Sequence, residues 1–229
     1  MAETSSISAR KNGDARDEIL ASIRRNLAVS RPFDAVRRQH HGHYHENVSR
    51  RPSSSDSSLV ENFRTSLDLL GAHFTLAESD KDAARKVEDV IARLSAKRIA
   101  VSGSDVVAGV VEKITTLPFI ENASAATLFD CDLGITSAQW VIAETGTLVL
   151  ESERENHRLT SLVPTAHLCI VKASHIRQTL GEIFELIGKE LSRTVTFITG
   201  ASRTSDIELT LTIGVHGPAE LYVIVLADQ

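Results

Sequence analysis

Cysteine is almost missing from this chain of 229 residues: only Cys131 and Cys169 occur, far apart and each in an apolar context. Two thiols cannot supply a disulfide framework, a cysteine zinc set or the ligands of an iron–sulfur cluster, and such usage suits a reducing cytosol. No apolar run approaches membrane-spanning length, and the N-terminus has no apolar targeting core, so a cytoplasmic protein is expected. Positive charge is not in excess either. A net charge of −5 gives no electrostatic footprint for nucleic acid. The GxGxxG, P-loop, HExxH and GxSxG motifs are all lacking, so the standard dinucleotide, P-loop, zincin and hydrolase readings have none of their usual residues. No internal repeat is visible.

What the chain has is 42% hydrophobic residues, enough for one sizeable core. The reading is an N-terminal appendage over residues 1–58 and an α/β domain over 59–229. In the appendage, Asp14–Leu27 puts Ile19, Leu20, Ile23 and Leu27 on one helical face. Low-complexity sequence follows, with Pro32, Pro52 and a serine run, which reads as a flexible arm. Residues 1–58 hold ten Lys/Arg against seven Asp/Glu, so the arm is mildly basic and the body acidic. Four histidines within His40–His45 have metal-binding chemistry, but a linker supplies no rigid second shell, and a solvated tract is the default.

Beyond the arm, helix and strand patterns alternate. Leu59–Leu70 is a helix closed by Gly71, and His73–Ala77 is a strand. Ser79 and Asp82 form a capping signal for a helix to about Leu94, Arg98–Ser102 is a buried strand, and Asp105–Ile114 is a helix. A strand is expected near Ala126–Phe129. Gln139–Ala143 and Thr147–Leu150 flank Glu144-Thr145-Gly146 as a hairpin, an antiparallel pair within an otherwise parallel pattern. His167–Lys172 is a buried strand. Ser174 caps a helix carrying Ile176, Leu180, Ile183, Phe184, Ile187 and Leu191 on one face, and Thr194–Ile198 and Leu221–Leu226 close the domain as strands.

Three polar loops adjoin these strands and form the candidate site: Glu144–Thr147, the Arg158 to His167 connection, and Gly200–Glu208 with Gly214–Pro218. Glu144 follows an apolar strand, so partial burial would make it a candidate acid, base or nucleophile; a hairpin carboxylate paired with Arg or backbone N–H is the alternative. Thr145, Gly146 and Thr147 offer donors to an anion, or simply fix the hairpin. Gly200, Ser202, Arg203 and Thr204 form a small-residue loop with a guanidinium suited to an anion, unless Asp206 or Glu208 occupies it. His167 and His216, the latter beside Gly217, are each a general base or a hydrogen-bonded structural imidazole. From the residues alone the reading stops at an anion-binding α/β domain, with no metal site and no catalytic residue assigned.

Taken in order, Gly134-Ile-Thr136, Ile142–Thr147, Leu159–Pro164 with His167, Gly200–Glu208 and Gly214–Pro218 resemble the LUD domain over about residues 59–229. The family commonly has Gly-Pro-Ser where this chain has Gly200-Ala201-Ser202. The resemblance implies a three-layer α/β/α body with a mixed sheet, similar to the sugar-isomerase and CoA-transferase-like folds. It also implies a cluster-free component of a system oxidising L-lactate to pyruvate, working with LutA- and LutB-like iron–sulfur subunits that carry the clusters. Alternatives are a stand-alone acyl- or CoA-transferring enzyme using Glu144, and a pure scaffold; a homo-oligomer fits any of these.

Overall fold

A strand covered on both faces needs apolar side chains at nearly every position, and the stretches ending at Lys172 and Leu226 meet that condition. The structure, a computed structural model, describes residues 12–29, 56–155, 158–187, 192–205, 211–213 and 217–228. The chain divides into two units, Met1–Ser53 and Ser54–Gln229. In the first, helix α1 (Asn12–Val29) occupies the stretch whose spacing predicts it, while His40–His45 lies outside the described residues.

The second unit runs α2 (Asp56–Leu69), β1 (His73–Ala77), α3 (Asp80–Leu94), β2 (Ile99–Val101), α4 (Asp105–Val111), β3 (Ile120–Glu121), α5 (Ala125–Phe129) and β4 (Leu133–Ser137). It continues with β5 (Trp140–Ile142), β6 (Thr147–Glu151), β7 (Ala166–Lys172), β8 (Ile176–Arg177), α6 (Leu180–Ile187), β9 (Val195–Thr199), β10 (Arg203–Ser205), β11 (Leu211–Ile213) and β12 (Glu220–Leu226). A six-stranded sheet in the order β1-β12-β7-β4-β2-β3 pairs parallel throughout. The expected hairpin of β5 and β6 builds a separate four-stranded sheet, β8-β5-β6-β9, and β10 pairs with β11. The mixed α/β class expected from the sequence is therefore the one found.

Period-two alternation decides which face each side chain serves. Tyr222, Ile224 and Leu226 of β12 join Leu168 and Ile170 of β7 in a core with Val87, Ile91, Val107 and Val110 of α3 and α4. Their neighbours Leu221, Val223, Val225, Cys169 and Val171 face the other way, onto Phe63 and Leu67 of α2 and Val141 and Leu148 of the smaller sheet. Helices thus cover one side of the parallel sheet, and α2 with the second sheet covers the other. Outside that second sheet, Ile183 and Ile187 of α6 pack on Ile142 and Val149.

Two local expectations fail, each for a physical reason. Ala125–Phe129 is a helical turn, because the Ser124 hydroxyl accepts the Thr127 amide at 3.1 Å and caps it. The helix expected from Ser174 begins only at Leu180: Ile176 and Arg177 pair with Val141 and Ile142 as an edge strand, so tertiary pairing overrides the helical spacing. The Ser79 cap holds, its hydroxyl accepting the Asp82 amide at 3.2 Å.

Candidate functional site

Registration of the parallel strands places Leu221, His167 and Gly134 side by side in one row near their amino ends. The missing side chain at Gly134 matters because a Cβ there would collide with the Thr160 carbonyl oxygen and crowd Pro164. Glycine lets the turn Arg158–Ser161 come down onto the sheet beside His167. From the second sheet, β9 and the loop after it approach from the other side, and Ser202 donates its amide to the Pro218 carbonyl at 2.9 Å. These pieces enclose a cavity of about 230 Å³ lined by Ser161, Leu162, His167, Phe197–Ser202, Gly217, Pro218 and Leu221.

His167 is the ionisable residue in that lining. Its side chain comes from β7 and is buried; Nε2 lies 2.8 Å from the Thr136 hydroxyl of β4, and Nδ1 has no hydrogen-bond partner. Burial alone pushes its pKa down to about 3, so the ring is neutral near neutral pH. Among the described lining residues there is no Lys, Arg, Asp or Glu, so polarity comes from one imidazole and from the Ser161, Thr199 and Ser202 hydroxyls.

The hairpin residues reach this cavity by relay. Thr199 faces Thr147 across the β6–β9 pairing, their hydroxyls 2.8 Å apart, and Thr147 is 2.7 Å from the Thr145 hydroxyl. Gly146, at φ 65°, and Gly200, at φ 84°, both turn against Leu70 at the end of α2. Ser66 ties the same helix to the Ala143 carbonyl at 2.7 Å. Arg203 is exposed and donates Nη2 to the Leu70 carbonyl at 2.6 Å, so it closes the end of α2. Glu144 is exposed rather than half-buried and receives the Leu180 amide at 3.4 Å, at the start of α6.

Of the candidate residues, His167, Gly200, Ser202 and Gly217 line one cavity, and Thr147 touches its rim through Thr199. Arg158 is exposed on its turn, and Thr204 lies in β10. Asp206, Glu208 and His216 fall outside the described residues. Thr136 and Ser161 stand in the motif stretches, and Phe197 and Thr199 in and just after an expected strand, without a role of their own; those roles arise only when strands distant in sequence are placed side by side. No local signal marks Glu155. That carboxylate is 1% exposed and accepts from Ser102 at 2.6 Å, Gln139 at 2.8 Å, the Ser137 amide at 3.0 Å and the Ser137 hydroxyl. It lies in a run of polar residues, Glu151–Arg158, where nothing in the local pattern marks burial.

Ligands of open parallel sheets usually settle at the carboxyl ends of the strands. Here the ends of β2 and β4 are tied to Glu155, and the cavity opens at the amino ends instead.

The geometry can be set beside known proteins. The LUD domain matches residues 60–226. Lactate utilization protein C of Deinococcus radiodurans is 40% identical over 106 residues, 45% of this chain and 50% of that protein. Its namesake in Bacillus subtilis is 36% identical over 104 residues, 43% of each chain. The chain thus spans about half the length of the curated relatives it matches. A crystal structure of a DUF162 family protein from Deinococcus radiodurans superposes with a TM-score of 0.62 at 24% identity, covering 76% of this chain and 99% of that one, which establishes a shared fold. With the family match running across nearly the entire second unit, the chain belongs to the LUD domain family.

Proposed function

We propose that this chain is the cluster-free component of an iron–sulfur system that oxidises L-lactate to pyruvate in the cytoplasm, allowing lactate to serve as a carbon source. The observation that carries this reading is the LUD match over residues 60–226 together with relatives named lactate utilization protein C. In this reading the redox centres sit on LutA- and LutB-like partner subunits, and two buried cysteines are fewer than the about four thiolates a cluster takes. This component's contribution is to bind a small organic acid in the loop cluster and to dock on those partners.

In this reading His167, Gly200, Ser202 and Gly217 contact the ligand. Thr145, Gly146 and Thr147 support the rim through Thr199, and Glu144, Arg158, Arg203, Thr204, Asp206, Glu208 and His216 are ligand-binding candidates from the sequence motifs alone. The test is reconstitution. Lactate oxidation by the two iron–sulfur partners should depend on added chain, and an unchanged rate without it would sink the proposal.

A further inference from the structure

Strand β9 is an outer strand of the second sheet, paired on one side with β6. Ser152 donates its amide to the Thr194 carbonyl at 3.0 Å, one step beyond the Glu151–Val195 pair. Antiparallel alternation then turns the main-chain groups of Thr194, Thr196 and Ile198 toward β6, and those of Val195, Phe197 and Thr199 outward. Among the described residues no backbone bond meets those outward groups. Open edges are normally guarded by a charge, a proline or a bulge, yet residues 194–202 hold no charged residue and no proline. The side chains on the α6 face are apolar as well. Val195 packs on the Ile142, Val149, Ile183 and Ile187 cluster, and Phe197, 42% exposed, lies 6.4 Å from the ring of Phe184, which is 60% exposed.

We propose that this edge pairs with the same edge of a second copy of the chain, joining two four-stranded sheets into one across a two-fold axis at Phe197. A two-fold contact requires a surface that complements itself, and the β9 register meets that requirement. Centred on Phe197, antiparallel pairing sets Val195 opposite Thr199 and Thr196 opposite Ile198. Each residue with an outward main chain then faces another and exchanges both bonds with it, whereas a centre elsewhere leaves part of the strand unpaired. Phe197 meets its counterpart directly, with the Phe184 ring of each copy beside it, so aromatic rings gather at the axis. The exposed Arg193 falls opposite Ala201, and no like charges meet along the seam. A foreign strand would have to bring the same uncharged pattern, which a second copy carries by construction. Because Phe197 also lines the cavity, the second copy covers that wall from outside.

The experiment is analytical ultracentrifugation of the full chain, wild type and Phe197→Lys, at about micromolar concentration, with folding checked by circular dichroism. The wild type should sediment as a dimer. Phe197→Lys sets two like charges face to face at the axis and should raise the dissociation constant about a hundredfold or more. Crosslinking reads the register independently and decides the matter should the lysine variant fail to fold. Directly opposed residues of a bonded antiparallel pair have Cα atoms about 5.5 Å apart, within disulfide reach, so Phe197→Cys should give an oxidised dimer. Val195→Cys alone should not, while Val195→Cys mixed with Thr199→Cys should; the native Cys131 and Cys169 are buried and do not compete. A monomeric wild type overturns the proposal. So does a dimer that keeps its mass with folded Phe197→Lys, or one that gives no crosslink at position 197.

Discussion

His167 ties stability to pH in a definite direction. Unfolded, it takes a proton near its ordinary value of 6.5; folded, burial delays protonation to about 3. Between those values the unfolded state binds the extra proton, so stability is fully present above 6.5 and falls as pH drops, by up to about 1.4 kcal/mol per unit. The half-buried His175 is shifted the same way, mainly by burial, so the comparison must be between variants. Urea unfolding at pH 7 and pH 5 should show the wild type losing more stability than His167→Gln. Gly134 carries the second prediction at this scale. A Cβ there meets the Thr160 carbonyl, which is backbone and cannot swing aside, so Gly134→Ala should cost about 2 kcal/mol or more and lower the melting temperature, as read by calorimetry. An unchanged melting temperature would mean the 158–161 turn does not press on the sheet.

Leu70, at the end of α2, organises two loops that the sequence keeps far apart. Gly146 and Gly200 both have positive φ, but a Cβ at Gly146 would sit 2.9 Å from Leu70 Cδ1 and 3.2 Å from the Leu67 amide, whereas at Gly200 its nearest atom is Leu70 Cβ at 3.4 Å. Gly200→Ala should therefore cost about 1 kcal/mol, the left-handed penalty alone, and Gly146→Ala clearly more, by equilibrium unfolding. Glu155 joins the ends of β2 and β4 to the turn after β6. Its replacement by Ala strands four donors and should cost about 3 kcal/mol or more in the same measurement.

Elements whose signals are local were legible in the sequence. The Ser79 cap, β1, the hairpin and the long apolar strands follow from patterns within a few residues. The second sheet was not, because β9 meets β6 only through long-range pairing, and because Ile176, Leu180 and Ile183 share a helical spacing although Ile176 lies in a strand. The candidate site was legible in part: His167, Gly200, Ser202 and Gly217 were chosen from turn chemistry and meet in one cavity. By its local sequence Arg203 suits an anion unless Asp206 or Glu208 occupies it, and the backbone carbonyl it bonds belongs to Leu70, remote in sequence.

At the scale of the whole molecule, the parallel sheet acts as a partition. Helices α3 and α4 stabilise one side, while the other carries α2, the second sheet and, at the amino ends of the strands, the cavity. Among the described residues no helix is long and apolar enough to cross a membrane. A scaffold would tolerate loss of the cavity, whereas a ligand-binding component would not. Ser202→Phe places an aromatic ring in the cavity from a partly exposed loop, so it should fold and still fail to support lactate oxidation. The most direct test of the account is growth on L-lactate as sole carbon source by a strain deleted for this chain. The account predicts no growth on lactate and normal growth on glucose, with lactate growth restored by the wild type and not by Ser202→Phe. Growth of the deleted strain on lactate at the parental rate would contradict it.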